Sequence, residues 1–542
     1  MSRYDTHTVH NQVPPLADYN AFDFDVPLQE AMKREGAEWS HDAARALGDA
    51  IGSADVIEHA RLANVHTPVF HSHDRFGHRI DALEFHPSWH AMMKLGVERG
   101  LASLPWTRKS AHTGRAALYY LFNQGENGCA CPITMTFAVV PALRHAPELA
   151  AVWEPRVLST TYDGRFLPAA DKSGSLMGMA MTEKQGGSDV RANSSSAEPL
   201  GDGAYLLTGH KWFCSSPHAD AFLTLAQSDE GLTCFLVPRF KPDGEKNRFF
   251  IQRLKNKLGN RSNPSSEIEY DRTFAQRVGD PGRGVATIIN MVHHTRLDCV
   301  LGSAGMMRHA LVHALHHTRH RKAFGNRLVE QPLMQNVLAD LCLEVEGAVA
   351  LMMRLARSFD AAEDDPREAL LGRILAPIAK YWVCKRNTSM VSEALECHGG
   401  NGYVEDAPIA RLFRDAPLNG IWEGSGNVIC LDVLRALQRS PESGEVLADF
   451  LNEARGESAV YDAHVDACLR ELRSPDGPEF RARRLVEGLA VAIQTGLLIQ
   501  HAPGALLDAF AESRLQRDGG LSFGTLSPKT DFTAILERFP TP

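Results

Sequence analysis

The stretch Met-Ala-Met-Thr-Glu-Lys-Gln-Gly-Gly-Ser-Asp-Val at residues 179–190 marks a change in the spacing of apolar residues. Before it, apolar residues recur every three or four positions, which is typical of helices. After it, short apolar runs alternate with Gly, Pro and Asp turns, which indicates strands. These runs lie at 204–208, 221–225, 233–237 and 249–251. The sequence therefore predicts a small antiparallel β domain that follows a helical one.

Helical periodicity returns after residue 284 and predicts a bundle of four long helices. The expected helices span 285–320, 332–360, 367–398 and 428–438. A Ser, Pro and Gly cluster at 440–444 interrupts this pattern, and helical segments resume at 446–472, 479–500 and 504–517. The predicted fold is mainly α with a central β domain and an additional C-terminal helical domain. Its predicted domains are 1–178, 179–284, 285–440 and 441–542.

Composition narrows the class of protein. The first thirty residues lack a basic segment followed by an apolar run, and no apolar stretch approaches the length of a membrane span. Ten cysteines in 542 residues form no C-x-x-C pair, so we expect reduced thiols and a cytoplasmic protein. The net charge of −9 gives no global attraction to nucleic acid.

Three stretches have residues suited to ligand binding, and each has a plain structural alternative. Gly186 and Gly187 beside Thr182 and Ser188 would let a backbone approach a phosphate, or would form an ordinary turn. The aromatics at 212–213 with Ser215 would line a flat ring, or would form a half-buried strand. The cationic turn at 321–325 would bind a pyrophosphate, or would simply end a helix.

The two glycine-rich stretches at 399–403 and 423–427 are the remaining candidates. Glu423 lies between Trp422 and a glycine, where partial desolvation would suit a general base. The alternative is a helix start that Ser425 or Asn427 caps. Local pattern leaves both interpretations open.

Taken together, five motifs in order resemble the acyl-CoA dehydrogenase family over about residues 50–440. They are T-E-x-x-x-G-S-D at 182–189, G-x-K at 209–211, R-x-x-F-G at 321–325, G-G-x-G-Y at 399–403 and E-G-S at 423–425. The resemblance implies FAD as cofactor and a homotetramer. It implies FAD contacts from Met181, Thr182, Gly187, Ser188, Phe213, Ser215, Arg321, Phe324, Gln335, Gly399, Gly400, Ser425 and Asn427. It implies substrate contacts from Lys184, Val190, Pro217 and Arg296.

The resemblance also implies the chemistry. Glu423 would remove the acyl α-proton while the β-hydride passes to flavin N5, near the Ser215 hydroxyl. Arg321 and Phe324 would reach the adenine-nucleotide half of FAD across a subunit interface. A family subset carries its base just before the Arg that is Arg296 here, and Thr295 occupies that position in this sequence. Two positions depart from the common pattern: Pro332 replaces a Gln, with Gln331 shifted by one, and Glu396 replaces another.

One branch of the family fits more closely. The stretches at 6–12, 85–90, 131–137 and 422–427, with about a hundred further C-terminal residues, are similar to a branch that belongs to the alkylation-damage response. This likeness implies weak acyl-CoA dehydrogenase activity and binding of double-stranded DNA through the C-terminal domain. Residues 440–542 nevertheless hold ten Lys or Arg against sixteen Asp or Glu. Binding would therefore need a local stripe, for which the candidates are Arg435, Arg439, Arg481, Arg483, Arg484, Arg514 and Arg517.

Competing functions remain at this point. The chain could be a catabolic acyl-CoA dehydrogenase without DNA binding, or a non-catalytic flavin protein that shields DNA. A nicotinamide enzyme fits less well, because no G-x-G-x-x-G opens a helix. The histidines between 309 and 320 have i,i+4 spacing that suits a metal, but no acidic ligand pattern accompanies them and we expect no metal site.

Overall fold

The computed structural model describes residues 6–474 and 476–542, and it divides into two compact units. The sheet unit comprises Asp55–Cys299 and Ile421–Val428. The helical unit comprises the described residues of Met1–Ala54, Val300–Gly420 and Ile429–Pro542. This division places the C-terminal helices with the long helices in one compact unit, except for the first part of the helix at 284–320, which belongs to the sheet unit. The finer boundaries at 178, 284 and 440 remain predictions.

The first part of the chain is helical, as expected, with one exception. Its helices are α1 (Val26–Arg34), α2 (His41–Gly52), α3 (Ala54–Val65), α4 (Pro87–Glu98), α5 (Leu104–Thr107), α6 (His112–Gly125), α7 (Ala130–Leu143) and α8 (Pro147–Val157). The exception is the antiparallel hairpin β1 (Val69–His73) and β2 (Arg79–Glu84), which lies in a region that the sequence predicted to be helical. That expectation was wrong because these strands are partly exposed on both faces and lack an apolar alternation.

The central β region contains seven strands. They are β3 (Met177–Ala180), β4 (Ser196–Gly201), β5 (Ala204–Ser215), β6 (Ala221–Ser228), β7 (Gly231–Pro238), β8 (Phe249–Leu254) and β9 (Ser265–Val278). Pairings run β6–β4–β5–β9–β7 and return from β7 to β6, so the strands form a closed circuit. The sequence predicted an antiparallel sheet, but the sheet is mixed, because β3 lies parallel to β6. Closure removes edges that would otherwise expose unpaired backbone groups.

The long helices match the predicted spans to within a few residues. They are α9 (Gly284–His320), α10 (Pro332–Ala361), α11 (Pro366–Glu396) and α13 (Gly426–Arg439), with the short α12 (Ile409–Asp415) and the hairpin β10 (Lys322–Ala323) and β11 (Asn326–Arg327) between them. Pro332 and Pro366 occupy first-turn positions, where a missing N–H costs no hydrogen bond.

The C-terminal region is helical, as expected. It contains α14 (Pro441–Asn452), α15 (Ala459–Arg473), α16 (Pro478–His501), α17 (Gly504–Phe510), a π-helical turn (Ala511–Leu515) and α18 (Phe532–Glu537). The predicted segment 446–472 is two helices, because Gly456 adopts φ 91° between them. Helix α16 is buried over most of its second half and packs against α10 and α11. No helix of the described residues is long and apolar enough to cross a bilayer.

Candidate functional site

Glu423 lies in a tight loop of the sheet unit and is held by two consecutive residues of α9. The Thr295 hydroxyl donates to Glu423 Oε2 at 2.8 Å, and Arg296 Nε donates to the Glu423 carbonyl at 3.1 Å. Glu423 itself has φ 57° and Gly424 has φ 107°. A non-glycine residue in the left-handed region is strained and marks a place where the surroundings fix the backbone. The carboxylate therefore has a defined position.

A buried ionic network fixes the part of α9 that carries Thr295. Arg115 and Asp298 are each 1% exposed and form a bidentate pair at 2.6 and 2.7 Å. Thr134 donates to Asp298 Oδ2 at 2.7 Å, and its hydroxyl also pairs with Tyr119 at 2.6 Å. Because Asp298 lies one helical turn beyond Thr295, this network sets the rotation of the helix under the Glu423 loop.

The loop at 179–190 is also built on a buried ion pair. Lys211 Nζ lies 2.9 Å from Glu183, and both side chains are fully buried. Burial alone would raise the pKa of Glu183, but hydrogen bonds from Ser195, Gln185 and Ser194 and the Lys211 ammonium hold it well below its usual range. A Cβ on Gly187 would lie 2.2 Å from Thr182 Oγ1, so this turn requires glycine there. The loop is a rigid support for Thr182 and Ser188.

Ser215 lies in a polar corner that the sequence only partly indicated. Its hydroxyl is 3.2 Å from that of Ser265, to which Lys257 Nζ donates at 3.1 Å. Burial raises the pKa of the Cys131 thiol to about 11, with Glu423 adding to the rise and hydrogen bonds from Asn263 and Ser215 opposing it. Cys131 is therefore a neutral thiol. Cys131 belongs to the stretch at 131–137, which was noted only for its likeness.

The other expected residues of the sheet unit have varied positions. Met181, Val190 and Trp422 pack against one buried apolar cluster. Phe213 is half exposed, while Lys255 Nζ lies 3.4 Å from the centroid of the Trp212 ring. The Lys184, Ser188, Ser425 and Asn427 side chains are exposed.

Two of the expected substrate contacts have structural roles in this unit. Pro217 is buried and its carbonyl accepts a hydrogen bond from Arg239. Arg296 is 7% exposed and its Nε is used by the Glu423 carbonyl. Both residues support the loops that carry Ser215 and Glu423, and their contact with a substrate stays a prediction.

The remaining expected cofactor residues lie in the helical unit. Arg321 follows α9, and the Phe324-Gly325 turn joins β10 to β11 with φ values of 52° and 87°. The Phe324 side chain is 99% exposed. Gly399 has φ 58°, and a Cβ added there or at Gly400 would meet no atom within 4 Å. Gln335 lies in the first turn of α10 and is partly exposed. The backbone at Gly399 and Gly400 therefore adjoins open space.

The arginines proposed for DNA differ in their exposure. Arg514 pairs with Asp340 and, at 2.7 Å, with Glu344, and its side chain is only 15% exposed. Arg481 donates to Glu471 and to the carbonyls of Ser474 and Asp476. We therefore remove Arg514 from the set and regard Arg481 as a helix-connecting residue. Exposed side chains remain at Arg435, Arg439, Arg483, Arg484 and Arg517.

His309 of α9 is buried and neutral. Burial lowers the pKa of His309 to about 3, and the Arg411 charge adds to the effect. Neither ring nitrogen of His309 has a hydrogen-bond partner among the described residues. Across residues 6–474 and 476–542, no group of three or more His, Cys, Asp or Glu side chains is arranged to hold a metal.

Comparisons with known proteins identify the family of this chain. Family models match in three places: the adaptive response protein AidB N-terminal domain at residues 11–164, the acyl-CoA dehydrogenase middle domain at 178–273, and the acyl-CoA dehydrogenase C-terminal domain at 282–438. The chain is 43% identical to the acyl-CoA dehydrogenase AidB of Escherichia coli (strain K12) over 522 residues, 96% of each protein.

Solved structures give the same result. The crystal structure of Caenorhabditis elegans ACDH-11 in complex with C11-CoA superposes with a TM-score of 0.85 at 27% identity, and covers 95% of this chain and 94% of that one. An acyl-CoA dehydrogenase complexed with FAD from Bacillus anthracis shares the fold alone, with a TM-score of 0.63 at 17% identity over 79% of this chain and 77% of that one. The chain therefore belongs to the AidB branch of the acyl-CoA dehydrogenases, a family of FAD-dependent oxidoreductases.

Proposed function

We propose that this protein binds FAD and oxidises an acyl-CoA thioester to its α,β-unsaturated product, with Glu423 as the base. The observation that carries the proposal is the fixed Glu423 carboxylate, which accepts a hydrogen bond from the Thr295 hydroxyl at 2.8 Å. General bases of this kind must be held within hydrogen-bonding reach of the proton that they remove.

The residues present fit FAD. The glycine turn at 186–187 brings backbone close to Thr182, Ser215 has a hydroxyl at the end of β5, and Gly399 and Gly400 adjoin open space. FAD, when bound, accepts the hydride that leaves the β-carbon. The protein's contribution is to hold the thioester in line with both the base and the cofactor.

The Thr295 hydroxyl suits both protonation states of Glu423. It donates to the ionised carboxylate, and Val292 offers it a second acceptor, the carbonyl at 3.0 Å. When Glu423 takes up the α-proton, Glu423 becomes the donor, and the single Thr295 hydrogen turns to the Val292 carbonyl. The Thr295 hydroxyl thus keeps a hydrogen-bond partner in either state.

The test is an anaerobic titration of the FAD-loaded protein with acyl-CoA thioesters of increasing chain length, including the eleven-carbon thioester found with the C. elegans protein. We expect the flavin absorbance to bleach with at least one chain length. Glu423→Gln should bleach about 10²- to 10⁴-fold more slowly while still binding FAD. Equal rates in the two proteins would contradict the role of Glu423.

We further propose that the protein associates with double-stranded DNA as part of a response to alkylation damage. Support comes from the likeness to AidB and from Arg435 and Arg439, which lie one turn apart on α13 with exposed side chains. Phosphate binding by such a stripe weakens with salt in proportion to the contacts made.

We also propose that the protein is a homotetramer and that it is cytoplasmic.

A salt titration with a fluorescent duplex tests the DNA proposal. Replacing Arg435 and Arg439 together with Gln should reduce the slope of log affinity against log salt by about 2. The matched control replaces Arg470 and Arg473 of α15 together with Gln, because both side chains are exposed and neither belongs to the candidate set. An unchanged slope, or no binding at low salt, would leave only the dehydrogenase function.

A further inference from the structure

The stretch Thr-His-Thr-Val-His-Asn-Gln at residues 6–12 has no place in the mechanism above, but one of its residues contacts the Arg321 turn. Asn11 Nδ2 donates to the Lys322 carbonyl at 2.8 Å, and the Lys322 amide donates to Asn11 Oδ1 at 2.8 Å. The side-chain amide thus pairs with the peptide group of Lys322 as a neighbouring β-strand would.

The backbone of Asn11 contacts Arg321 itself. Arg321 Nη1 donates to the Asn11 carbonyl at 2.7 Å. Asn11 adopts φ 55°, a conformation that Asn tolerates better than most residues. One residue therefore makes three hydrogen bonds to Arg321 and Lys322, and two of them require the side-chain amide.

The segment is attached at a second point three residues later. His316 Nε2 lies 2.9 Å from the Pro14 carbonyl. Burial lowers the pKa of His316, so the ring is neutral at pH 7 and the nitrogen facing the carbonyl has its hydrogen. Residues 11–14 are thus fixed both to the end of α9 and to the turn that follows it.

The main chain of Arg321 is held separately, because its amide donates to His317 and its carbonyl accepts from Leu328. What Asn11 adds is control of the guanidinium. With Nη1 engaged, Nε and Nη2 donate to no other group among residues 6–474 and 476–542, so one edge of the planar fork stays available. A phosphate can use that edge without the side chain having to be ordered first.

We infer that Asn11 is a positioning residue for FAD: it fixes the Arg321 guanidinium, and through Arg321 it sets the affinity for the dinucleotide. The inference rests on the proposed function in requiring that Arg321 contact FAD. It assigns to the N-terminal segment a part in cofactor binding that does not depend on contact between the segment and FAD.

The experiment measures FAD binding to full-length apoprotein by flavin fluorescence. Asn11→Ala removes the amide and strains the backbone, and we expect it to weaken FAD binding about tenfold. Asn11→Gly removes the amide but adopts φ 55° freely, so its loss should be smaller. Gln12→Ala, in the exposed neighbour, is the matched control and should bind FAD like the wild type.

Two further measurements separate positioning from general stability. In an Arg321→Ala background, Asn11→Ala should cause no additional loss, because the two residues act as one unit. Asn11→Ala should lower the melting temperature of the FAD-loaded protein more than it lowers that of the FAD-free protein.

Equal losses of melting temperature with and without FAD, at unchanged FAD affinity, would overturn the inference. So would an unchanged FAD affinity in Arg321→Ala, or a tenfold effect of Arg321→Ala that Asn11→Ala does not share. If the wild type takes up no FAD, the proposed function itself fails.

Discussion

The polar groups along α9 differ in burial and in hydrogen bonding between the two units of the molecule. In the sheet unit, Thr295 and Asp298 are buried and hydrogen-bonded to Glu423 and Arg115. In the helical unit, His309 is buried without a hydrogen-bond partner among the described residues, and the helix ends at an exposed turn that carries Arg321 and Phe324. A proton-transferring group needs fixed geometry, which burial in a paired network supplies, whereas a group that grips a dinucleotide must remain accessible. The four predictions below test this contrast, starting with the largest expected effect.

Breaking the paired network should have the largest effect. Arg115→Met leaves the Asp298 carboxylate buried without its cation, and we expect the free energy of unfolding to fall by about 3–5 kcal/mol. Urea denaturation measures this. The double variant Arg115→Met with Asp298→Leu should recover most of the loss, since no charge then remains buried. If the single and double variants are equally unstable, packing rather than charge holds this end of the helix.

The unpaired His309 side chain should make the free energy of unfolding depend on pH. Because the pKa of His309 is about 3 when folded and near 6.5 when unfolded, the unfolded chain binds a proton first as pH falls. Stability is unaffected above about pH 6.5 and is lost between pH 6.5 and 3, by about 2 kcal/mol between pH 7 and 5. His309→Phe should remove that share of the loss, as followed by denaturant unfolding at the two pH values. The same pH dependence in wild type and variant would contradict the assignment.

Removing one hydroxyl beside the base should have a smaller effect. Thr295→Val keeps the shape but deletes the donor to Glu423, and we expect kcat to fall about tenfold. The acidic limb of the pH–rate profile should move to higher pH, because an ionised carboxylate that loses a donor takes up a proton more readily. Thr295→Ser retains the hydroxyl and should restore both properties. A fall in kcat without any movement of the profile would indicate a packing effect instead.

The exposed turn should show the smallest effect on stability, and in the opposite direction. Phe324 has φ 52° before Gly325, where Asn would be far less strained. Phe324→Asn should raise the free energy of unfolding by about 0.5–1 kcal/mol. The same variant should weaken FAD binding if the aromatic ring contacts the cofactor. A stabilised protein with unchanged FAD affinity would mean that the strain serves another purpose.

Much of this molecule is determined by the sequence alone. The spacing of the apolar residues predicted the long helices α9 to α11 to within a few residues, and these helices are buried on more than one face along much of their length. Motif order identified the family and selected Glu423 and Ser215. The hairpin β1–β2 was missed because its exposed strands lack such a period.

Tertiary structure decided what those residues touch. Thr295 was noted only for lacking a carboxylate, and the structure shows its hydroxyl donating to Glu423, 128 residues away in the sequence. Likewise, the sequence could not distinguish Arg514 from the exposed arginines near it. The structure shows that Arg514 pairs with Asp340 and Glu344 and has a structural role. Periodicity and motifs are properties of neighbouring residues, whereas pairing and burial depend on residues brought together only by folding.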